Sequence, residues 1–447
     1  MNRLRYSLIL LALGAASAAW GQQSSSQPDT TAQPPMVEDR AQVPPVVNGT
    51  ASSLEFAPET ERSNYLRGGI SVGADYDDNA LSTTTDPISN VNYSVLPFIA
   101  LDQTRSRLHW TLGYHAGLIV NQRLTERNQG THDLDGGLEY RLSPHVTLQL
   151  RDSFVISSNF FDQLQDTART PVAGGISQPN QFVLTPLAQR LSNLGTANLS
   201  YQFSADDMVG ASGTFYDSRF RQLPAGATTL FDTSNRSASG FYNHRLTPRN
   251  WTGFTYQFQR TTFAPGTGSA ETHTFMLMHT IYLQTNMTLS FFAGPERTQL
   301  ELASVSAGPA QWSGMGGGSF GWQGQHTSAR IDASHRVSDG GGVLTSVRLT
   351  SVDGAVRRQI LKSSTVGLGV SYGDSDSIVF TGQTPSKLKS AYGSASWEQQ
   401  LGAAFGFNLG YARGYQKGTG PTFTNGDVNH NRAWFTFFYN FTRPMGR

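Results

Sequence analysis

The chain has 447 residues, a formal net charge of +1 at pH 7 and no cysteine. The near-neutral balance gives no footprint for nucleic acid, and the missing thiols exclude disulfides, a thiolate metal site, a catalytic Cys and a lipidated N-terminal Cys. Glycine (46 residues) and aromatics (11%) are plentiful, while charged residues make up only 15%, well below the usual quarter and too few for a well-solvated soluble surface.

The first stretch, MNRLRYSLILLALGAASAAWGQ, reads as a secretory signal over residues 1–21. Arg3 and Arg5 form a charged head, Leu8 to Ala15 an apolar run too short to span a bilayer, and Ala16, Ala18 and Gly21 offer small residues for cleavage. Residues 22–64 are rich in Ser, Gln and Pro without periodicity. Such a composition buries too little apolar area to offset chain entropy, so a disordered periplasmic segment is expected there.

From about residue 65 to 442 the pattern changes. LHWTLGYHAGLIV sets Leu108, Trp110, Leu112, Tyr114, Leu118 and Val120 against His109, Thr111, Gly113, His115 and Gly117. Alternation with period two over this length is a strand between an apolar and a polar medium, and it is longer than the strands of soluble sandwiches. Similar segments begin near Leu66, Val91, Leu108, Asp133, Val146, Gly195, Val209, Ser237 and Trp251. Others begin near Thr274, Met287, Trp312, Ser328, Leu344, Thr365, Ser390, Phe405 and Arg432. Tight turns at 103–106, 143–145, 204–207, 246–250, 284–286, near 324, 361–363 and 400–403 alternate with longer Gly/Ser/Thr/Asn-rich loops, the longest running from Ser157 to about Gln189. Short turns on one side and long loops on the other predict an all-β, antiparallel up-and-down barrel of 16–18 strands in the outer membrane of a Gram-negative cell. Tyr140, Tyr201, Tyr372 and Tyr411 end apolar phases, as interfacial girdles do. The last strand, RAWFTFFYNF, puts Ala433, Phe435, Phe437, Tyr439 and Phe441 on one face before a short tail at 443–447. A closing aromatic strand of this kind suits recognition by the barrel assembly machinery.

The segment SVGADYDDNALSTTTDPISNVNYSVLPFIAL and the strand after it resemble the β-barrel porin 2 family and its relatives. Tyr76, Asp77, Asp78 and Asn79 match a Tyr-Asp-x-Asn cluster at the end of the first strand, and Pro97 a central proline in the second. The likeness covers Ser71 to Ser153. It implies a transmembrane barrel and an outer-membrane location, with a link to exopolysaccharide export in some members.

The polar phase supplies the residues expected to line the lumen: Asp75, Asp77, His109, His115, Asp135, Glu139, Arg141, Arg151, Gln257, Arg330, Asp332, Arg336, Arg348 and Trp434. Both charge signs occur, which predicts mild ion selectivity, and pairing of these groups with Asp133, Glu398 and Arg432 across neighbouring strands, stiffening the wall, is favoured over a dedicated binding site. Asp75, Asp77, Asp78 and Asn79 offer oxygens for a cation, against the plainer reading of a solvated strand end. His109 and His115 share a phase but lie about 20 Å apart on one strand, and no nucleophile elbow or zinc-protease motif occurs. No catalytic residue, cofactor or metal is therefore expected. A weakly selective pore for small polar or saccharide solutes is the leading expectation. Exopolysaccharide export, or a structural or adhesive surface protein, are the alternatives, and an oligomer of such barrels stays open.

Overall fold

The computed structural model describes residues 64–157, 183–184, 188–221, 230–264, 268–301, 308–379, 384–421, 423 and 426–445. The signal and the Ser/Gln/Pro-rich segment, residues 1–63, lie outside the described residues.

Eighteen strands follow one another. They are β1 (Asn64–Asp77), β2 (Asn90–Thr104), β3 (Leu108–Asn121), β4 (Gln129–Ser143), β5 (Val146–Ser157) and β6 (Gln189–Gln202). Next come β7 (Asp207–Arg221), β8 (Asp232–Thr247), β9 (Asn250–Ala264), β10 (Gly268–Gln284), β11 (Met287–Glu301) and β12 (Gln311–Gln323). The last are β13 (Thr327–Gly340), β14 (Leu344–Leu361), β15 (Ser364–Ser377), β16 (Lys387–Gln400), β17 (Phe405–Thr419) and β18 (Gly426–Pro444). Every strand pairs antiparallel with the next, and β1 pairs with β18 over Tyr65↔Pro444 to Asp77↔Arg432, so the sheet closes on itself. β18 runs two residues beyond the expected end of the barrel at 442, because Arg443 and Pro444 still pair with Leu66 and Tyr65.

Closure removes both sheet edges and satisfies the backbone without water, which is what a spanning strand needs. Among the described residues no helix is long and apolar enough to cross a membrane. The outward phase is an apolar belt: Ile70, Val72, Leu112, Leu118, Phe254, Leu277, Phe291, Leu368, Val370, Leu409 and Phe435 are all exposed. The inward phase is dominated by Ser, Thr, Gly and amides. Strands that begin after a short turn start within two residues of their sequence-derived positions. Several that begin after a long connection start earlier, as with β6 at Gln189 and β18 at Gly426. Beyond the lipid band both faces meet water, so the strand continues while its alternation fades. Two connections at the end that carries the longer loops, 264–268 and 340–344, are short, against the expected rhythm.

Candidate functional site: the lumen and its outer mouth

Inward-facing side chains on β2–β5 form a partly open wall. His109 Nε2 lies 3.0 Å from Asp102 Oδ1, while His115 Nδ1 lies 3.6 Å from Asp133 Oδ2 under the stacked ring of Phe98. The two histidines thus serve different carboxylates. Glu139 lies 3.5 Å from Arg141 and accepts a 3.4 Å hydrogen bond from Gln149. Arg151 pairs with Gly137 on the same inward phase. His115, Asp133 and Asp135 bring three ligand atoms within 4.8 Å of one another, the one such group among the described residues. His115 Nδ1, the nitrogen that faces Asp133, makes no hydrogen bond.

The opposite arc is densely packed. Gln257 (2% exposed), Asp332, Arg336 and Glu296 are all buried on the inward phase. Met276, Phe292 and Met315 form an inward apolar cluster with Met278 against it. The sequence reading missed this cluster, since methionine in a polar phase carries no period-two signal. Arg330 pairs with Gly321 and Ala355 on that phase.

Asp75 and Asp77 stand on the inward phase and pair across strands, forming neither the cation cluster nor the solvated strand end that the sequence also allowed. Arg432 donates to both oxygens of Asp75 at 3.1 Å, and Asn92 adds a third bond at 2.9 Å. His430 Nε2 lies 2.6 Å from Asp77, and Asp78 accepts from the backbone of Asn431 at 2.7 Å. These groups stitch β1 to β18 at the closing seam, where Asp75, Asp77 and His430 are buried rather than solvated. Trp434 faces inward on the same seam, its Nε1 donating to Asn408 at 2.7 Å.

The β13–β14 hairpin folds away from the wall. Pairing of β13 with β12 ends at His335↔Gly316, whereas pairing with β14 continues to Gly340↔Leu344. The freed tip turns inward. Val337 N–H donates to Glu296 Oε2 at 3.0 Å, and the Gly342 carbonyl accepts from Phe231 N–H at 2.7 Å. Gly342, at φ +85°, packs beneath the Phe220 ring, where a side chain would clash. Val343, Leu344, Val347 and Leu349 join Val183, Ala188, Leu230 and Leu388 in one buried cluster, with Phe220 and Phe423 against it. Phe220 on β7 and Leu388 on β16 stand nine strands apart in a ring of eighteen, so the cluster bridges opposite walls. Leu184 anchors it through paired backbone bonds to Gln416 at 2.7 and 3.1 Å. Phe182, grouped with Val183 and Leu184 as the apolar end of the long loop, lies outside the described residues.

Arg348 departs from its expected phase. It pairs with Val337 and Asp376, in line with the outward Val352 and Val356, and donates to Gln311 at 3.1 Å. Because the hairpin tip has left the wall, this outward phase faces the end of β12 instead of lipid.

A closed antiparallel barrel with an apolar outer belt and a polar, charge-mixed interior defines a membrane-spanning β-barrel. No family model and no curated protein matches the chain, so the likeness to β-barrel porin 2 proteins rests on the quoted residues. Solved structures resemble its fold at low identity. Pseudomonas aeruginosa OccK2 (OpdF) has a TM-score of 0.47 and 11% identity over 84% of this chain and 98% of that one. A BenF-like porin from Pseudomonas fluorescens Pf-5 gives 0.45 and 10% over 84% and 99%. Acinetobacter baumannii OccAB1 gives 0.44 and 11% over 86% and 100%.

Proposed function

We propose that this protein is an outer-membrane channel for small polar or saccharide solutes and not an enzyme. The observation that carries the reading is the lumen itself. A partly open polar wall on β2–β5 runs beside a hairpin that folds inward and narrows the outer mouth. Eighteen strands leave room for an aqueous lumen, and mixed inward charges favour neutral, hydroxylated solutes over one ion sign. The export signal at 1–21, the 22–64 segment and recognition of β18 by the assembly machinery belong to this proposal, as does the outer-membrane location.

Single-channel recording in planar bilayers tests it. The purified protein should conduct, with a reversal potential that changes little when anion and cation sizes are exchanged. Leu344→Asn with Leu388→Asn should loosen the cluster across the mouth and raise conductance. A sealed barrel with and without these changes would overturn the channel and leave the surface-scaffold reading.

A further inference from the structure

Several cations above the apolar belt have carboxylate partners on the same or the next strand. Arg219 lies 3.0 Å from Asp217, Lys387 3.1 Å from Asp376, Lys389 3.4 Å from Asp374 and Lys417 3.6 Å from Asp427. On the outer wall of β8–β11 like charges meet instead. Arg236 on β8 stands directly opposite Arg260 on β9, both on the outward phase. Arg260 has one carboxylate, Glu271, at 3.5 Å. On β11, Arg297 stands in register with His273 on one side and Trp312 on the other. Among the described residues neither Arg236 nor Arg297 has an ion-pair partner, and the bordering connections 222–229, 265–267 and 302–307 contain no Asp or Glu. Glu296, next to Arg297, is buried on the inward phase; the nearest outward-phase carboxylates on β11 and β8 are Glu301, four residues beyond Arg297, and Asp232, four residues before Arg236.

Their depth is as informative as their charge. Phe254, Tyr256, Phe275, Leu277 and Phe291 form the exposed belt below them, and Trp312, 62% exposed, lies level with Arg297. A tryptophan at the end of an apolar run marks the headgroup boundary. The arginines lie toward the end of the barrel that carries the longer connections, hence in the outward-facing leaflet. Two like charges directly opposite on neighbouring strands repel. An oxyanion accepted by both guanidinium groups turns that repulsion into charge-assisted hydrogen bonding, which planar arginine does better than lysine. We propose that Arg236 and Arg260, flanked by Arg297, form a binding site for the phosphomonoester group of an anionic lipid in the outward-facing leaflet, whose charge, unlike that of a zwitterionic phosphodiester, is not masked by a cation of its own. The site is independent of conduction through the lumen.

The test uses the whole purified barrel in a neutral detergent. Thermal unfolding is followed while diphosphorylated lipid A, its dephosphorylated form, phosphatidylcholine or inorganic phosphate is added. Diphosphorylated lipid A should raise the midpoint, and the other three should not. Arg236→Gln with Arg260→Gln should weaken the apparent affinity by about tenfold or more. Arg236→Lys with Arg260→Lys should keep part of it, and Lys387→Gln with Lys389→Gln all of it. Equal stabilisation by the dephosphorylated lipid, or by inorganic phosphate alone, would overturn the site. So would unchanged lipid A binding in the arginine double variant.

Discussion

The indole of Trp434 lies over Gly410, its register partner on β17, so that a Cβ on the glycine would overlap the ring. Phe438 covers Gly406 in the same way, four residues nearer the short-turn rim. Aromatic rings laid along the inner wall leave the lumen wide and present a flat face to whatever passes.

Gly410→Val should therefore push the indole off the wall. The overlap outweighs the better strand propensity of valine, so a loss of about 1–3 kcal/mol is expected. Gly393→Val is the control, because a Cβ there meets nothing within 4 Å. Heat-modifiable gel migration of folded barrel should show a lower midpoint for the first variant and an unchanged or higher one for the second.

Leu112 and Leu409 face outward, at 42% and 47% exposure, while their neighbours Thr111 and Asn408 face the lumen. Arg at either leucine should cost about 2–4 kcal/mol near mid-membrane and reduce assembled barrel. Arg at Thr111 or Asn408 should assemble normally. The fraction of folded protein recovered from membranes distinguishes the two pairs.

The seam pair Asp75–Arg432 is nearly solvent-free, at 9% and 11% side-chain exposure. Arg432→Gln leaves a buried carboxylate with one amide donor, and a loss of about 3–5 kcal/mol is expected. Asp75→Asn combined with Arg432→Gln should recover much of it. Urea unfolding of the four species in lipid would give the coupling directly.

Barrel, strand count and phase were legible in the residues because a lipid-facing wall imposes period two wherever it touches the bilayer. Leu108 to Val120 is a clear instance, and its odd and even positions stand as the alternation required. What stayed hidden has physical reasons. The hairpin at Arg336 to Leu349 alternates like any other strand pair, and nothing local says that β12 stops short and lets it fold inward. Arg348 was misplaced for that reason. Asp75 is legible as a wall charge, but which cation it meets is not, because Arg432 is 357 residues away and adjoins it only when the barrel closes. Asp152 shows the converse, a carboxylate on the lipid-facing phase between Gly136 and Gly195, in a segment whose apolar neighbours Leu150 and Phe154 carried the pattern.

Sidedness can be tested cleanly because the chain has no cysteine. Thr85→Cys lies exposed in the β1–β2 connection and Ala205→Cys in the β6–β7 turn. A bulky maleimide added to intact cells should label the first and reach the second only after the outer membrane is permeabilised. The opposite pattern would invert the barrel.

The N–H of Met445 donates to the carbonyl of Asn64 at 2.8 Å, so the ribbon's two ends meet at one rim. A linker of a few residues could splice them, and a new cut at the Gln284–Met287 turn would leave all eighteen pairings intact. Such a permuted chain would emerge with β11 first and β10 last, and what is now the seam would become an ordinary hairpin. The ring has no geometrical beginning. Only the order of synthesis gives it one, and Asp75 with Arg432 marks where that order happens to close.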